Sequence, residues 1–310
     1  MIFIWLRFLF KKLIEITASL VVLAALSFLL LKLLPGGPFD DDAALNPIVK
    51  ETLSAQWGLH ESSTTQFFKY ISSVFQGNLG QSMVHSDSTV ADLIGQGVQS
   101  SFKLSFISLI FILVGAFGFT LASVRFKDTW FEKCVDQLMI AMLSLPSLFW
   151  GPLLIYLFGF YFNVLPVAFL SSPVHYILPV LTLSFRPLAT LVRLLKTSIN
   201  ENLHLDYVRT AKAKGLSRWG ILFHHVLRNS MIPFLSYAGP LITTLLSGSF
   251  LVEMLFAIPG LGSQFINSLN DRDYTLIVGL TLFYGALLIV INSLMDMCMR
   301  LVDPRLRDNP

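Results

Sequence analysis

Long apolar stretches constrain this chain more than any other feature of its sequence. Each has the ~20 residues that a helix needs to cross the hydrocarbon core of a bilayer. One of them, over about 176–197, contains Arg186 and Pro187, and it still predicts a span if Arg186 faces protein or water. The uninterrupted stretches cover about 13–34, 104–124, 135–158, 231–252 and 275–298. The sequence therefore predicts six transmembrane helices.

The composition all but excludes other classes of protein. Of the 310 residues, 54% are hydrophobic and 13% are charged, whereas about 25% are charged in an ordinary soluble domain. A soluble core of this size cannot hide so much apolar surface, and large exposed apolar patches drive association. These proportions argue against a soluble globular protein, a disordered chain and a nucleic-acid-binding domain.

The first apolar stretch follows three positive charges, at Arg7, Lys11 and Lys12. A signal peptide has the same order, but its apolar region is only about 7–15 residues long and ends at a small-residue cleavage site. Because this stretch is longer and no such site follows it, we expect an uncleaved first span.

The distribution of lysine and arginine orients the spans, because short cytoplasmic loops collect these residues. With the N-terminus in the cytoplasm, sixteen of the 22 fall in cytoplasmic segments and four in extracytoplasmic ones. The sequence thus predicts an all-α polytopic membrane protein with both termini cytoplasmic. Its predicted parts are the N-terminal end and first helix at 1–35, an extracytoplasmic region at 36–103, a five-helix core at 104–298 with a cytoplasmic loop at 199–230, and a cytoplasmic tail at 299–310.

The cytoplasmic loop has a pattern of its own. Good helix formers with a basic face predict a helix over 203–214, and Gly215 follows where a helix C-terminus favours cations and then a left-handed glycine. Ser217 is a suitable N-cap for a second helix, from Arg218 to about Asn229. The loop therefore predicts a helix, a glycine hinge and a helix. Such a unit either docks on a cytoplasmic partner or lies on anionic lipid, which its basic residues suit equally well.

The run from Asp206 to Leu216 resembles the EAA-type loop of ATP-binding-cassette importer permeases, specifically those of the oligopeptide, dipeptide and nickel family. The chain is most similar to the first of the two permease subunits, which has an enlarged outside segment. Two features depart from the family pattern: Arg209 replaces the glutamate that names the loop, and Arg186-Pro187 is not expected in the fourth span. Further motifs occur in the family's order at 34–38, 77–82, 177–179, 227–233, 253–262, 272–274, 292–296 and 303–305.

This resemblance implies a type I importer permease fold in a bacterial cytoplasmic membrane. It also implies several partners: a second homologous permease, two cytoplasmic ABC ATPase subunits and an extracytoplasmic substrate-binding protein. The residues that it assigns to ATPase coupling are Asp206, Arg209, Ala211, Lys212, Lys214, Gly215, Leu216 and Trp219. It places Pro259, Gly260 and Gly262 in the external gate region. Glu253, near the outer end of the fifth span, is a further candidate for the gate, and Arg186 is a candidate for the translocation path to which the resemblance gives no role.

No sequence pattern predicts an enzyme, a cofactor or a metal site. Walker A needs Gly-Lys after a glycine-rich loop, and no Gly-Lys pair occurs in the chain. His224 and His225 are adjacent and point to different helix faces, so they make a poor metal pair. We therefore expect no catalytic residues, with ATP and Mg²⁺ used by the partner ATPases.

The resemblance implies peptide uptake. Uptake of nickel or another small solute is the alternative within the family, and a stand-alone secondary transporter is a more distant one. Arg186 has two interpretations that the sequence leaves open. It meets a peptide carboxylate in the path, or it pairs with a carboxylate of this chain or of the partner permease.

Overall fold

The computed structural model describes residues 2–33, 51–52, 54–55, 57–58, 60–85 and 87–302. The motifs predicted at 34–38 and 303–305 lie outside these residues. Within them the chain is almost entirely helical, and the one β-type pairing is an isolated bridge between Gln81 and Thr89. The helices are α1 (Ile2–Leu33), α2 (Ser63–Phe75), α3 (Val90–Arg125), α4 (Trp130–Ser144), α5 (Ser147–Leu154), α6 (Ile177–Leu203), α7 (Asp206–Ala213), α8 (Arg218–Ile221), α9 (Leu227–Leu255), α10 (Leu261–Asn270) and α11 (Tyr274–Val302).

Three short segments of other helical type extend or connect these helices. The π-helical segment Ile155–Tyr161 continues α5, and the 3-10 turn Pro173–Tyr176 leads into α6. A π-helical turn, Leu222–Val226, joins α8 to α9. The second helix predicted in the loop therefore does not end near Asn229 but runs on into the fifth span.

In the described part of the chain, five helical segments are long and apolar enough to cross a membrane. They are Leu13–Leu31, Val90–Arg125, Pro173–Leu203, Arg218–Leu255 and Tyr274–Met295. The sixth candidate, predicted as one continuous helix over about 135–158, is two helices, α4 and α5, bent by 105°. The bend has a local cause. Leu145 precedes Pro146 and is extended, with φ −100° and ψ 138°, because the proline ring disfavours the helical region for the residue before it.

The chain packs as two compact units. In the unit that runs from Ser101 to Ile258 and includes the end of α11, helix α6 is the most buried element and packs against α4, α5 and α9. Small residues permit the closest approaches. A side chain at Gly151 of α5 would collide with Leu255 of α9 and crowd Thr182 of α6. Interhelical packing without a hydrophobic driving force depends on such small residues.

The other unit comprises residues up to Ser100 together with Pro259–Ser293, and a buried carboxylate organises it. Asp273 is 1% exposed and accepts hydrogen bonds from the Ser82 hydroxyl, from the Met83 N–H at 3.1 Å and from the Leu276 N–H at 3.0 Å. The last of these caps the first turn of α11. Thr275 Oγ1 donates to the carbonyl of Gln81 at 2.7 Å. Two motifs that are far apart in the sequence, at 77–82 and 272–274, are therefore parts of one hydrogen-bonded junction.

The junction generates a prediction for Asp273→Asn. An amide keeps one acceptor but turns an NH₂ group towards the N–H and O–H donors that the carboxylate now satisfies. Leaving a buried donor unpaired costs roughly 1–3 kcal/mol. We expect a lower melting temperature of the purified protein and faster proteolysis within residues 77–89. Asp271→Asn is the matched control, because Asp271 is exposed two residues away. Equal behaviour of the two variants would contradict the assignment.

Candidate functional site

The candidate site is the segment that joins α6 to α9, built on α7 and α8. Helix α6 ends at Leu203. Leu205 has an extended backbone, with φ −76° and ψ 155°, and it turns the chain into α7. The predicted helix over 203–214 is thus shorter, at Asp206–Ala213, because its first residues belong to α6 and the turn. Asp206 places a carboxylate in the first turn of α7, where the helix dipole stabilises negative charge.

Helix α7 is fastened to the protein by its inner face. Val208 is fully buried and Ala211 is 5% exposed, and both belong to the same apolar cluster as Ile221. The Tyr207 hydroxyl donates to Asn202 Oδ1 of α6 at 3.0 Å. The helix therefore packs on the bundle and is not a free loop.

The end of α7 is a Schellman motif. The Leu216 N–H donates to the Ala211 carbonyl at 3.2 Å and the Gly215 N–H to the Lys212 carbonyl at 3.0 Å, which is the 6→1 and 5→2 pairing of that motif. Gly215 has φ +80°, as the sequence predicts. Apart from its own chain neighbours, a Cβ placed there would have no heavy atom within 4 Å. Glycine is therefore required by the backbone dihedral angle and not by lack of space.

The hinge is fixed on its far side as well. Ser217 is extended and its Oγ accepts a hydrogen bond from the Gly220 N–H at 3.1 Å, which caps α8 as predicted. Only Gly215 and Leu216 lie between Lys214, the C-cap of α7, and this N-cap. The two helices and the hinge are thus held in one geometry by backbone and cap hydrogen bonds.

The outer face of this segment is basic and carries exposed aromatic rings. Trp219 and Phe223 are 41% and 48% exposed and stack with ring centroids 5.7 Å apart. Leu216 beside them is 45% exposed. The other exposed members are Asp206, Arg209, Lys212, Lys214, Gly215 and Arg218. We call this outer face, which includes Leu216, Trp219 and Phe223, the loop surface.

The structure brings seven of the eight predicted coupling residues onto the loop surface and places the eighth, Ala211, beneath it. Arg209 Nη1 lies 3.1 Å from Asp206 Oδ1, but both side chains are largely exposed, so this pair adds little stability. Phe223 was not among the predicted site residues. The signal that could have found it is its spacing of four from Trp219, which stacks the two side chains on one helix face.

An ion-pair cluster ties the last turns of α6 to the start of α4. Lys196 Nζ lies 2.8 Å from Glu132 Oε1 and 2.7 Å from Asp136 Oδ1, and Lys196 and Glu132 are only 15% and 16% exposed. Glu132 also accepts a hydrogen bond from the Asp128 N–H at 2.7 Å. A movement of α6 near the loop segment is therefore shared with α4.

The predicted gate or path residues do not form one described cluster. Glu253 is fully buried near the end of α9, and its carbonyl accepts a hydrogen bond from the Ile258 N–H at 2.8 Å. Pro259 is exposed, whereas Gly260 and Gly262 are buried around the start of α10. At the start of α10, the Gly260 N–H donates to Ser263 Oγ at 3.1 Å. Arg186 is exposed on α6.

Comparison with known proteins identifies the family. The model for the inner membrane component of binding-protein-dependent transport systems matches residues 115–308, which include α6, α7, α8 and α9. The chain belongs to this family. The permease is therefore a multi-pass inner-membrane protein and a transport component, not an enzyme.

Curated relatives match the permease along almost its whole length. It is 33% identical to the dipeptide transport system permease protein DppB of Bacillus subtilis, over 97% of this chain and 98% of the relative. It is 33% identical to the oligopeptide transport system permease protein OppB of Haemophilus influenzae, over 97% of this chain and 99% of the relative. The Escherichia coli K12 OppB protein is 31% identical over the same shares.

Solved structures share the fold. A chain of an amino acid ABC transporter superposes with a TM-score of 0.57 over 68% of this permease and 94% of that chain, at 15% identity. A chain of the MetNI methionine ABC transporter superposes with a TM-score of 0.56 over 68% of this permease and 96% of that chain, also at 15% identity. The predicted type I importer permease fold is confirmed.

The Lys196 cluster generates a prediction of non-additive stability. Lys196→Met leaves the largely buried Glu132 carboxylate with one partner fewer. Glu132→Gln removes the negative charge from the same ion pair. We expect each change to lower the melting temperature of the purified permease, and the double variant to lose less than the sum. The expected coupling is about 0.5–3 kcal/mol. Lys133→Met, at an exposed neighbouring lysine, is the control and should add independently to Glu132→Gln. Strict additivity at Lys196 would disprove the contact.

Proposed function

We propose that this permease forms, with a second homologous permease, the path for uptake of dipeptides or oligopeptides. Two cytoplasmic ABC ATPase subunits dock on the loop surfaces and power the transport, and an extracytoplasmic binding protein delivers the peptide. Support for the substrate comes from full-length relatives whose names are those of dipeptide and oligopeptide permeases. The chain itself binds no cofactor in this proposal, since ATP and Mg²⁺ are used by the ATPases.

The observation that carries the proposal is the combination of rigidity and exposure in the loop segment. Large apolar side chains at a solvated surface are informative when they are clustered and rimmed by polar residues, because such patches mark interaction sites. Trp219 and Phe223 form such a patch, with Lys212 and Lys214 close to them in the chain. Aromatic residues in the centre of an interface carry much of its binding energy, and the lysines complement acidic groups on a partner.

The same geometry explains how force from a partner reaches the spans. Closure of the ATPases must displace membrane helices as rigid bodies, and a flexible loop would absorb the displacement. Here the Schellman hydrogen bonds and the Ser217 cap fix α7 relative to α8, and the buried Val208 together with the Tyr207–Asn202 hydrogen bond attaches α7 to the bundle at α6. Helix α6 in turn packs against α4, α5 and α9. A push on the loop surface therefore moves a packed group of helices together.

The gate is assigned to the residues that the family resemblance indicates. Glu253 lies near the end of α9, and Pro259, Gly260 and Gly262 lie around the start of α10. We propose that each of these two segments takes part in the external gate. Arg186 belongs to the translocation path in this proposal, on the exposed face of α6.

Gly215→Val tests the hinge. Forcing a branched side chain into the left-handed region costs roughly 1–2 kcal/mol, which opens the Schellman turn. We expect the assembled transporter to insert and hydrolyse ATP while transport per ATP falls several-fold. Gly215→Asn is the matched control, because asparagine tolerates positive φ and the site has room for its side chain. Equal loss of transport in both variants would refute a dihedral requirement.

Reconstitution tests the function itself. The permease, its partner permease, the ATPases and the binding protein are placed in proteoliposomes, and uptake of labelled di- to pentapeptides is measured. We expect uptake that needs both ATP and the binding protein. Uptake of nickel and not of peptides would contradict the substrate. Uptake by this chain alone would contradict the whole proposal.

The docking residues are tested in the same system. Trp219→Ala with Phe223→Ala should weaken binding of the ATPases by about 30-fold, since a central aromatic contact contributes ~2 kcal/mol. Trp130→Ala is the control, because Trp130 is 75% exposed at the start of α4 and lies outside the loop segment. The measured quantity is ATPase retained by the immobilised permease at several concentrations.

A further inference from the structure

Helix α6 is buried on most of its circumference, but one stripe along it is polar and exposed. Apart from Ile177, the exposed residues of this fully described helix are Arg186, Arg193, Thr197 and Glu201, and half-exposed Thr190 lies between the two arginines. Steps of three and four residues put all five on one helix face. Ile177 lies on the opposite face. The stripe is therefore a polar track on a helix that otherwise forms the core of its unit.

The two arginines on this track have no carboxylate partner within the described part of the chain. Lys196, on a neighbouring face of the same helix, has two. Lys196 is therefore a structural cation that is paired with carboxylates of α4, whereas Arg186 and Arg193 are available to a ligand. The second interpretation of Arg186 thus has no support among the described residues where it invokes a carboxylate of this chain, and only a carboxylate of the partner permease is left to it.

Position along the helix excludes lipid as the surroundings of the track. Arg186 lies about 13 Å from the start of α6 at 1.5 Å per residue, well inside a span. An arginine that faces hydrocarbon costs several kcal/mol, so charged residues in spans face water or protein. Arg193 follows about 10 Å further along. It lines an open groove together with Thr190, Thr197 and Glu201 of α6, and Leu143 and Pro233 line the same groove.

We propose that Arg186 and Arg193 are two successive contact points for the C-terminal carboxylate of the transported peptide. This inference rests on the proposed function and names the ligand chemistry of the path. A guanidinium binds a carboxylate through two parallel hydrogen bonds, and every unmodified peptide carries this carboxylate whatever its side chains are. Two exposed sites about 10 Å apart bind more weakly than one enclosed site, and multiple weak sites permit release along a path.

The test uses the complete reconstituted transporter with its binding protein. A labelled tripeptide and its C-terminal amide are compared as substrates, and the ratio of their kcat/KM values is taken for each variant. The same binding protein serves every variant, so its own preference cancels when the ratios are compared. We expect Arg186→Gln and Arg193→Gln each to reduce the acid-to-amide ratio about tenfold, the amount that one charge-assisted contact provides.

Two further variants make the result specific. Arg186→Lys keeps the charge but loses the paired geometry, so it should give an intermediate ratio. Lys127→Gln removes an exposed cation from the turn after α3 and should leave the ratio as it is. If the glutamine variants lower transport of acid and amide equally, the arginines contact the partner permease and the proposal is overturned. If the wild-type transporter moves no peptide at all, the proposed function fails first.

Discussion

The structure of this permease depends on one constraint: the interior of a bilayer offers no hydrogen-bond partner to a backbone or a charge. A helical span meets this constraint because it satisfies its own N–H and C=O groups. Every charge within or beside a span must then be paired, or face water or protein. Lys196 is paired with Glu132 and Asp136. Arg186 instead lies on the exposed track of α6, where we infer that it faces water or protein. The two choices on one helix separate its structural face from its proposed working face.

Helix α6 connects the features that matter for transport. Its buried faces hold α4, α5 and α9, its polar track carries the two arginines, and its C-terminal end continues through one turn into α7. A displacement applied at the loop surface therefore acts on the same helix that is proposed to hold the peptide carboxylate. In the proposed mechanism this arrangement gives a short mechanical route from ATP hydrolysis to the path.

Much of the fold could be predicted from the sequence, because the signals are local. Apolar runs located the spans, and the loop's helix-glycine-helix order followed from the basic turn before Gly215 and the cap at Ser217. The bend at Pro146 was missed because the apolar run continues through it, although the proline itself was the signal. The continuation of α8 into α9 was missed for the opposite reason: polar residues between His224 and Ser230 suggested a break, but a π-helical turn keeps the chain helical through them.

Features that depend on distant residues could not be predicted. Asp273 and Ser82 are separated by 191 positions, and neither residue type indicates the other; the motifs around them were visible, but not that they form one junction. The burial of Ala211 on α7 was also not predicted. Ala211 lies beneath the loop surface because α7 packs its Val208 and Ala211 face on the bundle, and a short basic helix alone does not show which small residue is inside.

The loop surface shows why exposure and rigidity must be considered together. An exposed tryptophan and phenylalanine would be a liability on a mobile loop, where they promote non-specific association. Held in one geometry by the caps around Gly215, the same rings become a preorganised contact, since little conformational entropy is lost when a partner covers them. The hydrogen bonds of the hinge stabilise this geometry without burying the aromatic side chains. The proposed docking therefore depends more on the dihedral angle of the hinge than on the identity of any one basic residue around it.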